Sequence, residues 1–229
     1  MNCAKAPHLG GWGVENMNDF ATNLKTEILK GLPGIDAQWQ MASSDRFVKN
    51  FPRTPGNDAR IAAVLILFYP TDGSIHTVLM QRPDYDGVHG GQISFPGGKK
   101  EHGDKDVIQT ALREANEETG VDPGKVSIIA TLTPLFIPVS NMIVTPVTAW
   151  TDVKPVFNWK SDEVVFLIDA DLKRLLDPSI VKTKPFYIRG EMLDIKYFDY
   201  EDHTIWGATA MILHELLIII RRGGFLPAE

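Results

Sequence analysis

Between Phe95 and Val121 the sequence joins a glycine-led turn to a helix with two very different faces. The turn reads Phe95-Pro96-Gly97-Gly98-Lys99-Lys100-Glu101-His102-Gly103-Asp104, and the segment after it ends Arg113-Glu114-Ala115-Asn116-Glu117-Glu118-Thr119-Gly120-Val121. Val107, Ile108, Ala111, Leu112 and Ala115 recur at helical spacing, so one face packs on a core. Glu114, Glu117 and Glu118 stand at i, i+3 and i+4 and leave adjacent turns of the other face. Like charges this close cost helix stability unless something neutralises them. A hard divalent cation does so, because Mg2+ prefers oxygen ligands and shares its shell with substrate phosphates. A Glu-rich face is more often only solvated, and glycine pairs mark many turns. The combination, with Arg113 before and Gly120 after, points to a site.

The surrounding pattern mixes short strands with few helices. Phe20, Leu24, Ile28 and Leu32 predict a first helix, capped by Asn16 or Asn18 and ended by Gly31-Leu32-Pro33-Gly34. Gln38 to Ala59 is a connector with a short helical piece. Ile61 to Tyr69 is a buried strand, and Asp72-Gly73 turns it into a second at Ile75 to Gln81. Gln92 to Phe95 is a short extended piece. Val126 to Ile137 and Ile143 to Asp152 read as two further strands, joined through Pro138-Val139-Ser140-Asn141. Glu163 to Ile168 predicts a strand and Asp169 to Leu176 a helix. Pro185 to Ile188 and Met192 to Phe198 form a hairpin, and Trp206 to Arg222 the last helix, with His214 packed on it. The class is α+β. The expected division is an N-terminal helix and connector over residues 1–59, packed on a domain over 60–229.

The 229 residues suit one well-buried domain with elaborations. A formal charge of −6 with no basic stripe argues against nucleic-acid binding. It also means that a polyanionic substrate needs a bridging cation. Cys3 is the one cysteine, so there is no internal disulfide, and a reducing cytoplasm is the simple assignment. The N-terminus lacks the apolar core of a secretory signal. The run Leu216 to Ile220 is too short to span a bilayer, so no membrane association is expected.

Gly98, Arg113, Glu114, Glu117, Glu118 and Gly120 resemble the Nudix box, a glycine-led loop followed by Arg-Glu-x-x-Glu-Glu-x-Gly. One residue is extra: Asp104 lies six after Gly98, where the box has its first Glu, but Arg113 follows nine later instead of eight. Either Glu101 or Asp104 takes the part of that first acid. The extra residue is expected between Glu101 and Asp106, since inside the helix it would turn the apolar stripe by about 100°. Upstream, Arg82, His89, Gly91 and Gln92 are similar to a further signature of the coenzyme A diphosphatase branch, although Gly87 stands where that signature tends to carry an arginine.

The resemblance implies an α/β/α sandwich around a mixed sheet and a metal-dependent diphosphatase. Its substrate would be coenzyme A or its thioesters, cleaved to 3′,5′-ADP and a 4′-phosphopantetheine product. Mg2+ or Mn2+ would be held by Glu114 and Glu118 with Glu117 assisting. Glu117 is the first choice for general base and Glu163 the second, while Arg113 orients the acids. Arg82, His89, Gln92, Gly97, Gly98 and Lys99 are the candidate substrate contacts, and a homodimer is allowed. Two rival readings stay open: a hydrolase of ADP-ribose or a dinucleotide, and a Nudix-fold regulatory module without catalysis. The intact glutamates argue against the second.

Overall fold

The computed structural model describes residues 19–43, 54–84, 90–160, 162–188 and 190–224. Its centre is the pair β1 (Arg60–Thr71) and β7 (Met142–Trp150), which run parallel from Arg60↔Met142 to Phe68↔Trp150. Both are almost continuously apolar, as strands covered on both faces must be. β2 (Ser74–Gln81) returns antiparallel to β1 and carries β3 (Ile93–Ser94) and β8 (Phe166–Asp171). β4 (Gly97–Lys99) pairs with the first half of β1, placing Gly97 opposite Val64, Gly98 opposite Ala63 and Lys99 opposite Ala62. β5 (Ser127–Thr131) and β6 (Leu135–Ile137) both lie antiparallel to β7. The sheet is therefore mixed.

Alternation along β1 sorts its side chains to two cores. Ala63, Leu65, Leu67 and Tyr69 face Ala111 and Ala115 of α3 (Val107–Thr119), with Val107, Ile108 and Leu112 packed around them. Ala62, Ile66 and Phe68 join the other core with Phe20 and Leu24 of α1 (Phe20–Leu29) and Leu213 and Leu216 of α5 (Gly207–Gly223). The layers are helix, sheet, helix, as expected. α2 (Gly34–Trp39) rests on α5. A three-stranded sheet of β9 (Val181–Ile188), β10 (Glu191–Tyr200) and β11 (His203–Ile205) follows α4 (Leu172–Leu176). No helix among the described residues is long and apolar enough to cross a membrane.

Several boundaries differ from the sequence expectation. Val126 to Ile137 is two strands, because Leu132-Thr133-Pro134 breaks the ladder and a bulge at Ile128/Ala130 shifts its register. β8 begins at Phe166 and runs to Asp171, so Glu163 lies in the preceding turn, its N–H bonded to the Lys160 carbonyl. α1 stops at Leu29 and leaves Leu32 outside it; its N-cap position is Asp19, while Asn16 and Asn18 lie outside the described residues. The hairpin strands β9 and β10 are longer than expected because their pairing continues to Val181↔Phe198. His214 is half-buried on α5, with Nε2 3.2 Å from Gln40 Oε1.

Candidate active site

The approach to α3 is a tight acidic turn. Glu101 N–H donates to Asp104 Oδ2 at 2.9 Å, and Asp104 N–H to the Glu101 carbonyl at 3.1 Å. Asp106 caps the helix by accepting from Gln109 N–H at 2.9 Å. α3 then runs unbroken from Val107 to Thr119, so the extra residue is absorbed before the helix. This turn sets the first of two arginine junctions. Arg113 donates to both oxygens of Asp104 at 3.1 and 3.0 Å, to the Lys99 carbonyl at 3.0 Å, to Glu114 at 3.0 Å and to Glu117 at 2.9 Å. Glu101 stands 3.9 Å from it with a largely exposed side chain, so Asp104 is the acid that holds Arg113. Those hydrogen bonds keep the Asp104 carboxyl well below the usual carboxylate range and raise Arg113 further above its own.

The second junction lies deeper. Arg82, just past β2, donates from Nε to Ser94 Oγ at 3.1 Å and from Nη2 to the Gly97 carbonyl at 2.7 Å, and its Nη1 stands 3.2 Å from Glu118 Oε1. Glu118 Oε2 accepts from Gly97 N–H at 2.7 Å. Glu118 is 6 % exposed. Burial raises its carboxyl to about 7; Arg82 and the Gly97 N–H oppose the rise, and Glu114 and Glu163 add to it. Glu114 is also raised, chiefly by burial, with Arg113 opposing.

Both glycines of the turn are required by close approach. A Cβ on Gly97 would lie 2.3 Å from the Ala63 carbonyl oxygen, and its φ is +153°. On Gly98 it would lie 2.4 Å from Glu114 Oε2, so that position must be bare for the carboxylate to rest against β4.

The three box glutamates therefore do not act as one bare acidic face. Glu118 is buried, Glu114 is half-buried, and Glu117 is half exposed and paired with Arg113. Arg82 and Arg113 supply the neutralisation that the spacing alone assigned to a metal. Among the described residues, no group of three or more His, Cys, Asp or Glu side chains is gathered for a metal ion. The donor chemistry still fits a hard cation: Glu114 and Glu118 offer oxygen only and share one cavity, and the charge of Glu114 helps to raise the Glu118 carboxyl.

That cavity holds about 760 Å³. Arg82, Gln92, Gly97, Gly98, Lys99, Glu114 and Glu118 line it, while Arg113, Glu117 and Glu163 do not. His89 lies outside the described residues. The cavity's apolar lining comes from the end of β6 and the turn and strand after it, with Ile137, Val139, Met142 and Val144, and from Ile212 of α5. Arg60 also lines the cavity and donates to the Ser140 carbonyl at 2.6 Å. Sequence reasoning missed Arg60 and the apolar wall. Arg60 belongs to no motif, and the parallel pairing of β1 with β7 brings it beside the turn at Ser140.

Comparisons with known proteins agree with this architecture. The NUDIX domain family model matches residues 59–210. The chain is 38% identical over 160 residues to Nudix hydrolase 15, mitochondrial, of Arabidopsis thaliana, covering 67% of this chain and 56% of the relative. It thus spans little more than half of that longer protein. It is 35% identical over 171 residues to the Nudix hydrolase NudL of Pectobacterium atrosepticum, covering 72% of this chain and 85% of NudL. Among solved structures, the Nudix hydrolase RenU of M. smegmatis superposes with a TM-score of 0.51 at 15% identity, covering 78% of this chain and 98% of RenU, a likeness of fold alone. With its glycine turn seated against the glutamate helix, this chain belongs to the NUDIX domain family.

Proposed function

We propose that this chain is a Nudix hydrolase of a nucleoside diphosphate-linked substrate, and that the substrate is coenzyme A or one of its thioesters. The observation that carries the reading is that Glu114 and Glu118 line a roughly 760 Å³ cavity together with the apolar side chains of Ile137, Val139, Met142, Val144 and Ile212. A diphosphate belongs beside the glutamates, and a long, weakly polar arm such as pantetheine suits the apolar lining. The likeness of Arg82, Gly91 and Gln92 to the coenzyme A signature supports the same choice.

Mg2+ or Mn2+ would be held by Glu114 and Glu118, Glu117 being tied to Arg113 off the cavity lining, and would neutralise the phosphate oxygens so that water can attack phosphorus. The protein's own groups do the positioning. Arg82 and the Gly97 N–H hold one oxygen each of Glu118, so its carboxylate cannot rotate. Arg113 holds Glu114 and Glu117 and is itself fixed by Asp104. Two carboxylates are candidates to take the proton from the attacking water. Neither lines the cavity; Glu117 is tied to Arg113, whereas Glu163 is close enough for its field to raise Glu118. This favours Glu163 as the base.

The test is kcat/KM for coenzyme A, dephospho-coenzyme A, ADP-ribose and NADH under one metal condition. Coenzyme A should be hydrolysed most efficiently. More efficient hydrolysis of ADP-ribose or NADH would overturn the substrate assignment, and no metal-dependent hydrolysis of any of them would overturn the enzymatic one.

A further inference from the structure

The cations around the cavity divide into two kinds. Arg82 is fully engaged inside the protein by Ser94, Gly97 and Glu118, and Arg113 by Asp104, Lys99, Glu114 and Glu117. Neither can turn to an incoming phosphate without abandoning a carboxylate that the site needs in place. Arg60 and Lys99 are different. Both are exposed and line the same cavity, and neither has a carboxylate partner among the described residues. Arg60 is nonetheless oriented, because Nη2 is anchored on the Ser140 carbonyl at 2.6 Å while the rest of the guanidinium stays available. The nearby acids are already directed elsewhere: Asp58 accepts from Asn141 Nδ2 at 3.0 Å, and Glu101 approaches Arg113.

Strand register places this pair relative to the chemistry. Ala63 lies opposite Gly98, against which Glu114 rests, and Ala62 lies opposite Lys99. Arg60 is three residues from Ala63 along β1, about 10 Å at strand rise. A substrate whose diphosphate sits at Glu114 and Glu118 thus meets Lys99 one residue beyond Gly98 and Arg60 a sugar-sized step further along β1, both lining the same cavity.

We propose that Arg60, with Lys99, binds a second phosphate of the substrate, a phosphomonoester on the ribose of the nucleoside whose diphosphate is cleaved. Arg60 is then the residue that separates a 3′-phosphorylated nucleotide from its dephosphorylated counterpart, and Arg82 is a positioning residue for Glu118. This deepens the functional reading above and rests on it for the location of the diphosphate.

The experiment has two arms. In the first, kcat/KM is measured for coenzyme A and dephospho-coenzyme A with the wild type, Arg60→Gln and Lys99→Gln. The wild-type preference for coenzyme A should be roughly tenfold or more, as for a charge-assisted contact, and Arg60→Gln should reduce that ratio to near one. Lys99→Gln should reduce it partway. A preference that survives in both variants overturns the proposal while leaving the diphosphatase reading intact. In the second arm, binding of adenosine 3′,5′-bisphosphate and of AMP is measured by calorimetry, which needs no turnover. The wild type should bind the bisphosphate about tenfold more tightly, and Arg60→Gln should abolish the difference. Equal wild-type affinity for the two overturns the proposal even if the chain hydrolyses neither coenzyme. A tenfold difference lost in Arg60→Gln, with no coenzyme A hydrolysis, supports the anion site and removes the functional reading instead.

Discussion

At the scale of single residues, the carboxylates differ more in their environments than their spacing suggests. Glu118→Gln removes charge from the most buried of them but keeps an oxygen to accept from Gly97 N–H. Activity should fall at least ~10²-fold, with the metal-free protein melting no lower than wild type. Added Mg2+ should raise the melting temperature of the wild type and not of the Glu114→Gln, Glu118→Gln pair; near wild-type rates in both single variants at low Mg2+ would remove the metal assignment. Of the two candidate bases, Glu163→Gln should lower kcat more than Glu117→Gln and should abolish the acidic limb of the pH–rate profile. The converse ranking would return the role to Glu117. Asp104 makes a pH-dependent contribution. Its folded-state carboxyl is depressed, so the stabilisation is present above the unfolded value near pH 4 and is lost as pH falls below it. Melting temperatures followed from pH 7 down to pH 2 should show Asp104→Asn well below wild type at neutral pH, with the two converging at the acid end. A constant gap would mean that Asp104 acts by packing alone.

The element scale concerns how β4 meets α3. Two adjacent glycines carry different loads there. An alanine at Gly98 would strike the end of the Glu114 side chain, which can swing away. Gly98→Ala should therefore fold with little loss of stability and lose activity at least ~10-fold, because Glu114 leaves its place. An alanine at Gly97 would strike the backbone of Ala63 and Val64, at 2.3 and 2.5 Å, in a conformation few side chains adopt. Gly97→Ala should cost at least ~2 kcal/mol in urea unfolding. Equal stability of the two variants would contradict this packing. The register also explains why the turn is extended before the helix. α3 can keep Ala111 and Ala115 on the sheet only if its phase is preserved, and the loop from Glu101 to Asp106 takes up the length.

For the molecule as a whole, Glu215 joins the N-terminal segment to the sandwich. This fully buried side chain on α5 accepts from Gly34 N–H at 3.0 Å, Gln38 Nε2 at 2.9 Å and Thr133 Oγ1 at 2.5 Å. One carboxylate thus ties α2, the break between β5 and β6, and α5. At the other end of α1, Arg222 reaches Glu27 at 3.2 Å. Glu215→Ala leaves those donors, Gln38 the most buried of them, without their acceptor and should destabilise the protein by about 3–5 kcal/mol, read from chemical unfolding. A chain cut back to residues 60–229 exposes the α5 surface that α1 and α2 cover and should melt lower or aggregate. Wild-type stability in both would mean that this segment is only laid on the domain.

Local pattern was enough for much of this protein. Apolar continuity marked β1, helical spacing marked the buried stripe of α3, and the glycine turn with Glu114, Glu117 and Glu118 marked the family and the place of the site. These are properties of neighbours in the chain, and backbone periodicity transmits them directly. The tertiary structure decided the partners. Arg82 meets Gly97 and Glu118, 15 and 36 positions away, because β2, β4 and α3 converge. Arg60 meets the turn at Ser140 because β1 pairs in parallel with β7. Long side chains reach several ångströms, so their contacts depend on strand register and helix placement, which no local spacing encodes. Burial is likewise a property of enclosure. The spacing on α3 showed three equal acids, and only packing made Glu118 buried with a raised carboxyl, Glu114 half-covered and Glu117 exposed.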